Sequence, residues 1–101
     1  MNGLTANEVR ALGTPGVDFT FLDVRSPAEI AEVALPGTLN IPLGALRGRV
    51  SEVDPKKPVV AFCKISLRGY EAGLILKKAG YQTVYVMDGG VAMWPFEKIA
   101  K

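Results

Sequence analysis

Residues Val59-Val60-Ala61-Phe62 form an uninterrupted apolar run, set off from the preceding chain by Lys56-Lys57-Pro58. The run shows no alternation, so the strand it forms must be covered on both faces. No other feature constrains the fold as tightly. The next segment supplies one of the covers: Ala72, Ile75, Leu76 and Ala79 keep the i, i+3, i+4, i+7 spacing of a helix, closed by Lys77, Lys78 and Gly80. Thr83 to Met87 is a further strand, and Asp88-Gly89-Gly90 turns into a last helical segment around Trp94.

The first half repeats the alternation. Thr5-Ala6-Asn7-Glu8 is a capping box opening a helix to about Leu12, closed by Gly13 and Pro15. Phe19 to Val24 is a strand. Ser26-Pro27-Ala28-Glu29 starts a second helix, with Ser as cap, Pro at the first position and Glu at the third. Pro36-Gly37 ends that pattern, Leu39-Asn40-Ile41 makes a brief strand, and Leu43 to Val53 has weak helical spacing. Strands alternating with helices imply an α/β domain with a mostly parallel sheet. The 101 residues suffice for one core and not for two, so residues 1–101 read as a single domain. Met1-Asn2-Gly3 is compatible with the cloned start of a domain excised from a larger chain.

Composition removes whole classes of chemistry. The chain has no His and one Cys. Without His there is no Ser-His or Cys-His pair and no imidazole metal ligand. One Cys excludes an internal disulfide, Cys-x-x-Cys redox chemistry and a thiolate zinc cluster. No metal and no cofactor is expected. The N-terminal residues lack the apolar stretch of a signal peptide, and no apolar run approaches the ~20 residues of a membrane span. A single unpaired thiol suits a reducing compartment, so a cytoplasmic protein acting on neither membrane nor nucleic acid is expected.

Ligands of open α/β sheets sit outside the carboxyl ends of the strands. Cys63 stands there, directly after Phe62, and Cys63-Lys64-Ile65-Ser66-Leu67-Arg68 is a C-x4-R loop between a buried strand and a helix. Such a loop can turn its backbone N–H groups toward the sulfur as an anion nest, and the helix dipole points the same way. Both favour the nucleophilic thiolate. The plainer alternative is that Cys63 is a small buried hydrophobe.

Charge adds a little. Gly44 to Lys78 holds eight basic and three acidic residues, a net +5, against −3 elsewhere. A positive field around Cys63 suits a small anionic substrate. Lys56-Lys57 on a turn and Lys77-Lys78 at a helix end serve structure, leaving Lys64 and Arg68 as the candidates for binding. Asp23 ends the first long strand on the Cys63 edge, where it orients the loop, pairs with a nearby Arg, or forms a structural salt bridge. Arg25 with Glu29, and Asp88, read as structural, and Trp94 and the methionines as core. Gly89 and Gly90 permit a tight turn with close backbone approach.

Taken in order, Phe21-Leu22-Asp23-Val24-Arg25, Glu29, Leu35 to Pro42, the Cys63 loop, Asp88-Gly89-Gly90 and Trp94 resemble a single-domain rhodanese over nearly the whole chain. The resemblance implies a five-stranded, mostly parallel sheet flanked by helices on both faces. It implies sulfurtransferase activity, with sulfane sulfur carried as a persulfide on Cys63 from polysulfide, thiosulfate or a low-molecular-weight persulfide to a thiol or cyanide. Lys64, Ile65, Ser66, Leu67 and Arg68 then cradle the sulfur, with Asp23 and Gly69 in support. Leu67-Arg68-Gly69-Tyr70 is similar to rhodanese domains appended to coenzyme A-disulfide reductases, which implies a fused or associated flavin-dependent reductase as partner.

Three departures qualify what is carried over. Ala34 stands near the Pro-Gly pair where many rhodaneses have His. Ser66 replaces a common Gly, at a cost of about 1 kcal/mol if that position needs a positive φ. Leu67 is apolar where polar residues are usual. Two other readings compete with sulfur transfer: a Cys-dependent phosphatase, whose loop has five residues between Cys and Arg rather than four, and a catalytically silent fold used as a binding or regulatory module of a larger redox enzyme.

Overall fold

A computed structural model describes residues 2–100, with the side chains of residues 3–99. The elements in chain order are β1 (Asn2–Leu4), α1 (Ala6–Ala11), β2 (Thr20–Asp23), α2 (Pro27–Glu32), β3 (Val33–Ala34), β4 (Thr38–Asn40), α3 (Leu43–Arg49), β5 (Val59–Phe62), α4 (Leu67–Lys78), β6 (Val84–Met87) and β7 (Ile99–Ala100). Short 3-10 turns cover Val50–Glu52 and Gly90–Met93. Five strands form one sheet in the order β1-β6-β5-β2-β4, with every neighbouring pair parallel. The expected architecture is therefore present, and the sheet is parallel throughout.

β5 is the central strand, and all four of its residues are buried. Alternate side chains feed two cores, as the period of two requires. Val59 and Ala61 pack with Leu46, Ala72, Leu76 and Tyr81 on the α3/α4 face. Val60 and Phe62 pack with Val9, Phe21, Met87 and Trp94 on the other. Cys63 continues the first set and belongs to the α4-side core.

Both expected capping boxes are formed. The Thr5 side chain accepts from Glu8 N–H while Glu8 reaches back to Thr5, and Ser26 with Glu29 does the same. Helix α4 stops at Gly80, whose φ of 96° takes the chain out of the helix without a side-chain penalty.

Three expectations need correction. The helical stretch from Leu43 does not continue to Val53 as one α-helix; it ends at Arg49 and tightens into the 3-10 turn. The segment before Trp94 is also a 3-10 turn, which leaves Met93 67% exposed rather than in the core. Finally, β3 and β7 pair antiparallel, Val33 with Ala100 and Ala34 with Ile99, where no strand was expected. Among the described residues no helix is long and apolar enough to cross a membrane.

Candidate active site

The loop from Cys63 to Arg68 leaves β5 at its carboxyl end and enters α4, a helix of 12 residues. The 3-10 turn supports it from behind. Val91 N–H donates to the Cys63 carbonyl at 2.9 Å, and Ala92 N–H donates to that of Lys64 at 3.0 Å. The approach requires Gly90, whose φ is +55°. A Cβ there would collide with the carbonyl oxygens of Cys63 and Ile65. The close approach expected of the glycine pair is thus an approach to the cysteine loop itself.

Ser66 ties the other side. Its hydroxyl accepts from Gly89 N–H at 2.9 Å. Its φ is −151°, and no residue other than glycine has a positive φ among the described residues. The strain expected for Ser66 does not arise, because this loop never takes the left-handed turn that would demand Gly. Gly69 is buried, and a Cβ on it would lie 3.2 Å from Val86 Cγ1 and 3.3 Å from Phe62 Cα. The first turn of α4 therefore sits directly on the sheet.

Arg68 points back across the site to α2. Its Nη1 and Nη2 donate to the two carboxylate oxygens of Glu29 at 2.7 and 2.9 Å, a fork-to-fork pair. The guanidinium holds the Glu29 carboxyl down at about 2, helped by hydrogen bonds from Ser26 and opposed by partial burial. Glu29 in turn pushes Arg68 upward, against burial, and the neighbouring Cys63 thiol adds to that push. A chain of hydrogen bonds therefore runs from the Ser26 cap through Glu29 to Arg68.

The pairing expected between Arg25 and Glu29 is absent. Arg25 pairs instead with Asp23, Nη2 to Oδ2 at 2.8 Å, with both residues essentially buried. Its Nη2 also donates to the Val33 carbonyl at 2.9 Å, and Asn40 Nδ2 donates to the carbonyls of Asp23 and Arg25. Asp23 is on the expected edge, opposite Phe62 in the register, and its carboxylate is occupied by Arg25. Asp88 accepts from the Tyr70 hydroxyl at 2.7 Å, flanking the loop.

Cys63 is 2% exposed, whereas Lys64 is exposed and Ile65 and Leu67 are 64% and 75% exposed. The loop therefore brings one recessed thiol, one outward lysine and two outward apolar side chains together. A cleft of about 170 Å³ adjoins Lys64, with Glu29, Val91 and Ala92 among its walls. A separate hollow of about 210 Å³, lined by Arg10, Pro15, Pro36 and Trp94, takes no wall from the Cys63–Arg68 loop. Sequence reasoning took Glu29 as structural beside Arg25 and did not place it at the loop, where it meets Arg68. The signal was available: Ser-x-x-Glu fixes Glu29 in the first turn of a helix that begins at the carboxyl end of β2, beside the end of β5.

Residues 5–95 match the rhodanese-like domain. The chain is 35% identical over 77 residues to a sulfurtransferase of Allochromatium vinosum, covering 76% of this chain and 72% of that protein. Among solved structures it is similar to reduced Bacillus anthracis CoADR-RHD, at 31% identity and a TM-score of 0.84. That match covers 93% of this chain and 16% of the other. A NAD-dependent persulfide reductase from A. fulgidus matches at 34% identity and a TM-score of 0.74, with the same coverage of 93% and 16%.

Proposed function

We propose that this chain, which belongs to the rhodanese-like domain family, transfers sulfane sulfur through a persulfide on Cys63. The observation that carries the reading is the place of the one cysteine: at the carboxyl end of the central strand, in a loop held by Val91, Ala92 and Ser66 and closed by the Arg68–Glu29 pair. Sulfurtransferase activity in general has support from the Allochromatium vinosum relative, which bears that name.

In the first half-reaction the Cys63 thiolate attacks the terminal sulfur of a polysulfide or persulfide. A new Sγ–S bond forms, the donor's S–S bond breaks, and its electron pair leaves with the rest of the donor as a thiolate. In the second, an acceptor thiolate or cyanide attacks the outer sulfur and Cys63 departs as thiolate. Lys64, Ile65, Ser66, Leu67 and Arg68 line the path, while Asp23 and Gly69 hold the ends of β2 and α4 in place. A recessed thiol admits a slender chain of sulfur atoms more readily than a bulky group. The apolar Ile65 and Leu67 would strip water from thiosulfate without replacing its hydrogen bonds, so polysulfide and persulfides are the better donors.

Arg68 enters this scheme as a positioning residue, since its fork is occupied by Glu29, and Lys64 is the outward cation of the loop. A flavin-dependent disulfide reductase, attached or associated, fits as the consumer of the bound sulfur. Support comes from the two solved structures of which this fold makes up 16%, one of them a persulfide reductase. A reducing, cytoplasmic setting suits the unpaired thiol. Reaction with polysulfide followed by intact mass measurement tests the reading: wild type should gain sulfur and Cys63→Ser should not.

A further inference from the structure

Helices α1, α2 and α4 each begin on a serine or threonine, and only the first two are capped by it. Thr5 accepts from Glu8 N–H and Ser26 from Glu29 N–H, as such residues ordinarily do at that position. Ser66 holds the same place at the head of α4 and makes no such bond. Its hydroxyl accepts instead from Gly89 N–H at 2.9 Å. The backbone differs accordingly: ψ is 165° at Thr5 and 156° at Ser26, but −36° at Ser66.

The diversion has two consequences. First, the turn after β6 grips the loop at a third point. Val91 and Ala92 N–H hold the carbonyls of Cys63 and Lys64, which any sequence offers. The hold at Ser66 needs a side-chain acceptor, so residue type matters there. Second, the head of α4 is left uncapped. Among the described residues, Tyr70 N–H is the first in the helix to reach a backbone carbonyl, that of Ser66. The N–H groups of Arg68 and Gly69, where a cap would bind, receive no side chain.

We propose that Ser66 is a positioning residue for sulfur transfer. By bonding to Gly89 it fixes the loop and keeps its own oxygen off the head of α4, leaving those N–H groups for anionic sulfur on Cys63. This rests on the sulfurtransferase reading and deepens it. The head of the helix lies against the reactive strand end: a Cβ on Gly69 would come within 3.3 Å of Cα of Phe62, the residue before Cys63. Arg68 is near enough for the Cys63 thiol to push its guanidinium upward. A serine oxygen seated on these N–H groups would compete with sulfur for the same donors. In loading, the Cys63 thiolate forms the Sγ–S bond, the donor's S–S bond breaks, and its electron pair leaves with the remainder. Cys63 is anionic when it attacks and again when it departs, so uncommitted N–H donors and the helix dipole favour both steps.

Three substitutions separate the two consequences. Ser66→Thr keeps a hydroxyl. Ser66→Ala loses the bond to Gly89 and cannot cap α4. Ser66→Asn places there a neutral residue that ranks among the best of caps. Single-turnover loading with polysulfide, read by intact mass below all melting transitions, gives a rate for each folded protein. Ser66→Asn should load about fivefold more slowly than Ser66→Ala, the weight of one capping hydrogen bond, although it melts at a higher temperature. Ser66→Thr should recover most of the rate that Ser66→Ala loses. A purely structural serine would let reactivity follow stability. Equal rates for Ser66→Ala and Ser66→Asn, or a Ser66→Thr protein no faster than Ser66→Ala, would overturn the proposal while leaving the sulfurtransferase reading standing. A wild-type protein that gains no sulfur would overturn both.

Discussion

Arg68 and Glu29, 39 residues apart in the chain, meet through two hydrogen bonds of 2.7 and 2.9 Å that join the reactive loop to the first turn of α2. Helix α2 has no fully buried residue, so it contributes little to the core. It places a carboxylate, oriented by the Ser26 N–H and hydroxyl, where Arg68 needs a partner. Without that partner Arg68 would lose both hydrogen bonds that tie the loop to α2.

Glu29→Gln should therefore lower kcat/KM for sulfur transfer roughly ten- to hundredfold, as expected when a reactive group loses its alignment. The half-exposed pair limits the loss of stability to about 1 kcal/mol. Steady-state kinetics and thermal unfolding on the same samples separate the two effects. A variant that loses activity only in proportion to its unfolded fraction would reduce the pair to a structural tie.

Acid should dissolve the same tie. Arg68 holds the Glu29 carboxyl at about 2, below its ordinary 4.5. A group depressed by folding stabilises the protein above its unfolded value and loses that contribution as pH falls toward the folded one. The difference in melting temperature between wild type and Glu29→Gln should be constant above about pH 5 and shrink steadily below it. A difference that stays level down to pH 3 would contradict the assignment.

Gly90→Ala and Gly80→Ala place the same methyl at positive φ in two settings. At Gly80 nothing lies within 4 Å of the new Cβ, and the cost is that of the backbone alone, about 1–2 kcal/mol. At Gly90 the methyl meets the carbonyls of Cys63 and Ile65. Only Gly90→Ala should slow the reaction of Cys63 with polysulfide in the folded protein, which stopped-flow loading at a temperature below both transitions would reveal.

Leu67→Asn tests donor choice at a side chain that is 75% exposed and touches no core. Wild type should have a higher kcat/KM for polysulfide than for thiosulfate. The substitution should narrow that gap by raising thiosulfate use, because an amide restores hydrogen bonds lost by the hydrated dianion. A wild type that prefers thiosulfate, together with no response to Leu67→Asn, would remove the apolar rim from the explanation.

The parts of the molecule that sequence makes legible are those with local rules. An apolar run announces β5, two Ser/Thr-x-x-Glu boxes announce α1 and α2, and Cys63 falls at the end of the run with Arg68 five residues on. What stays hidden is long-range. β3 and β7 have two residues each, too few to show a period. Arg25 and Glu29 are close in sequence and opposite in charge, yet burial sends Arg25 to Asp23 and leaves Glu29 for Arg68. Met93 follows the apolar habit of a core residue, but a 3-10 turn rotates it outward.

The central claim is that Cys63 carries the transferred sulfur, and intact mass spectrometry of the protein after brief exposure to polysulfide tests it most directly. The account predicts a gain of one sulfur atom, reversed by cyanide or a thiol and absent from Cys63→Ser. A wild-type mass unchanged by polysulfide, thiosulfate and low-molecular-weight persulfides alike would contradict it.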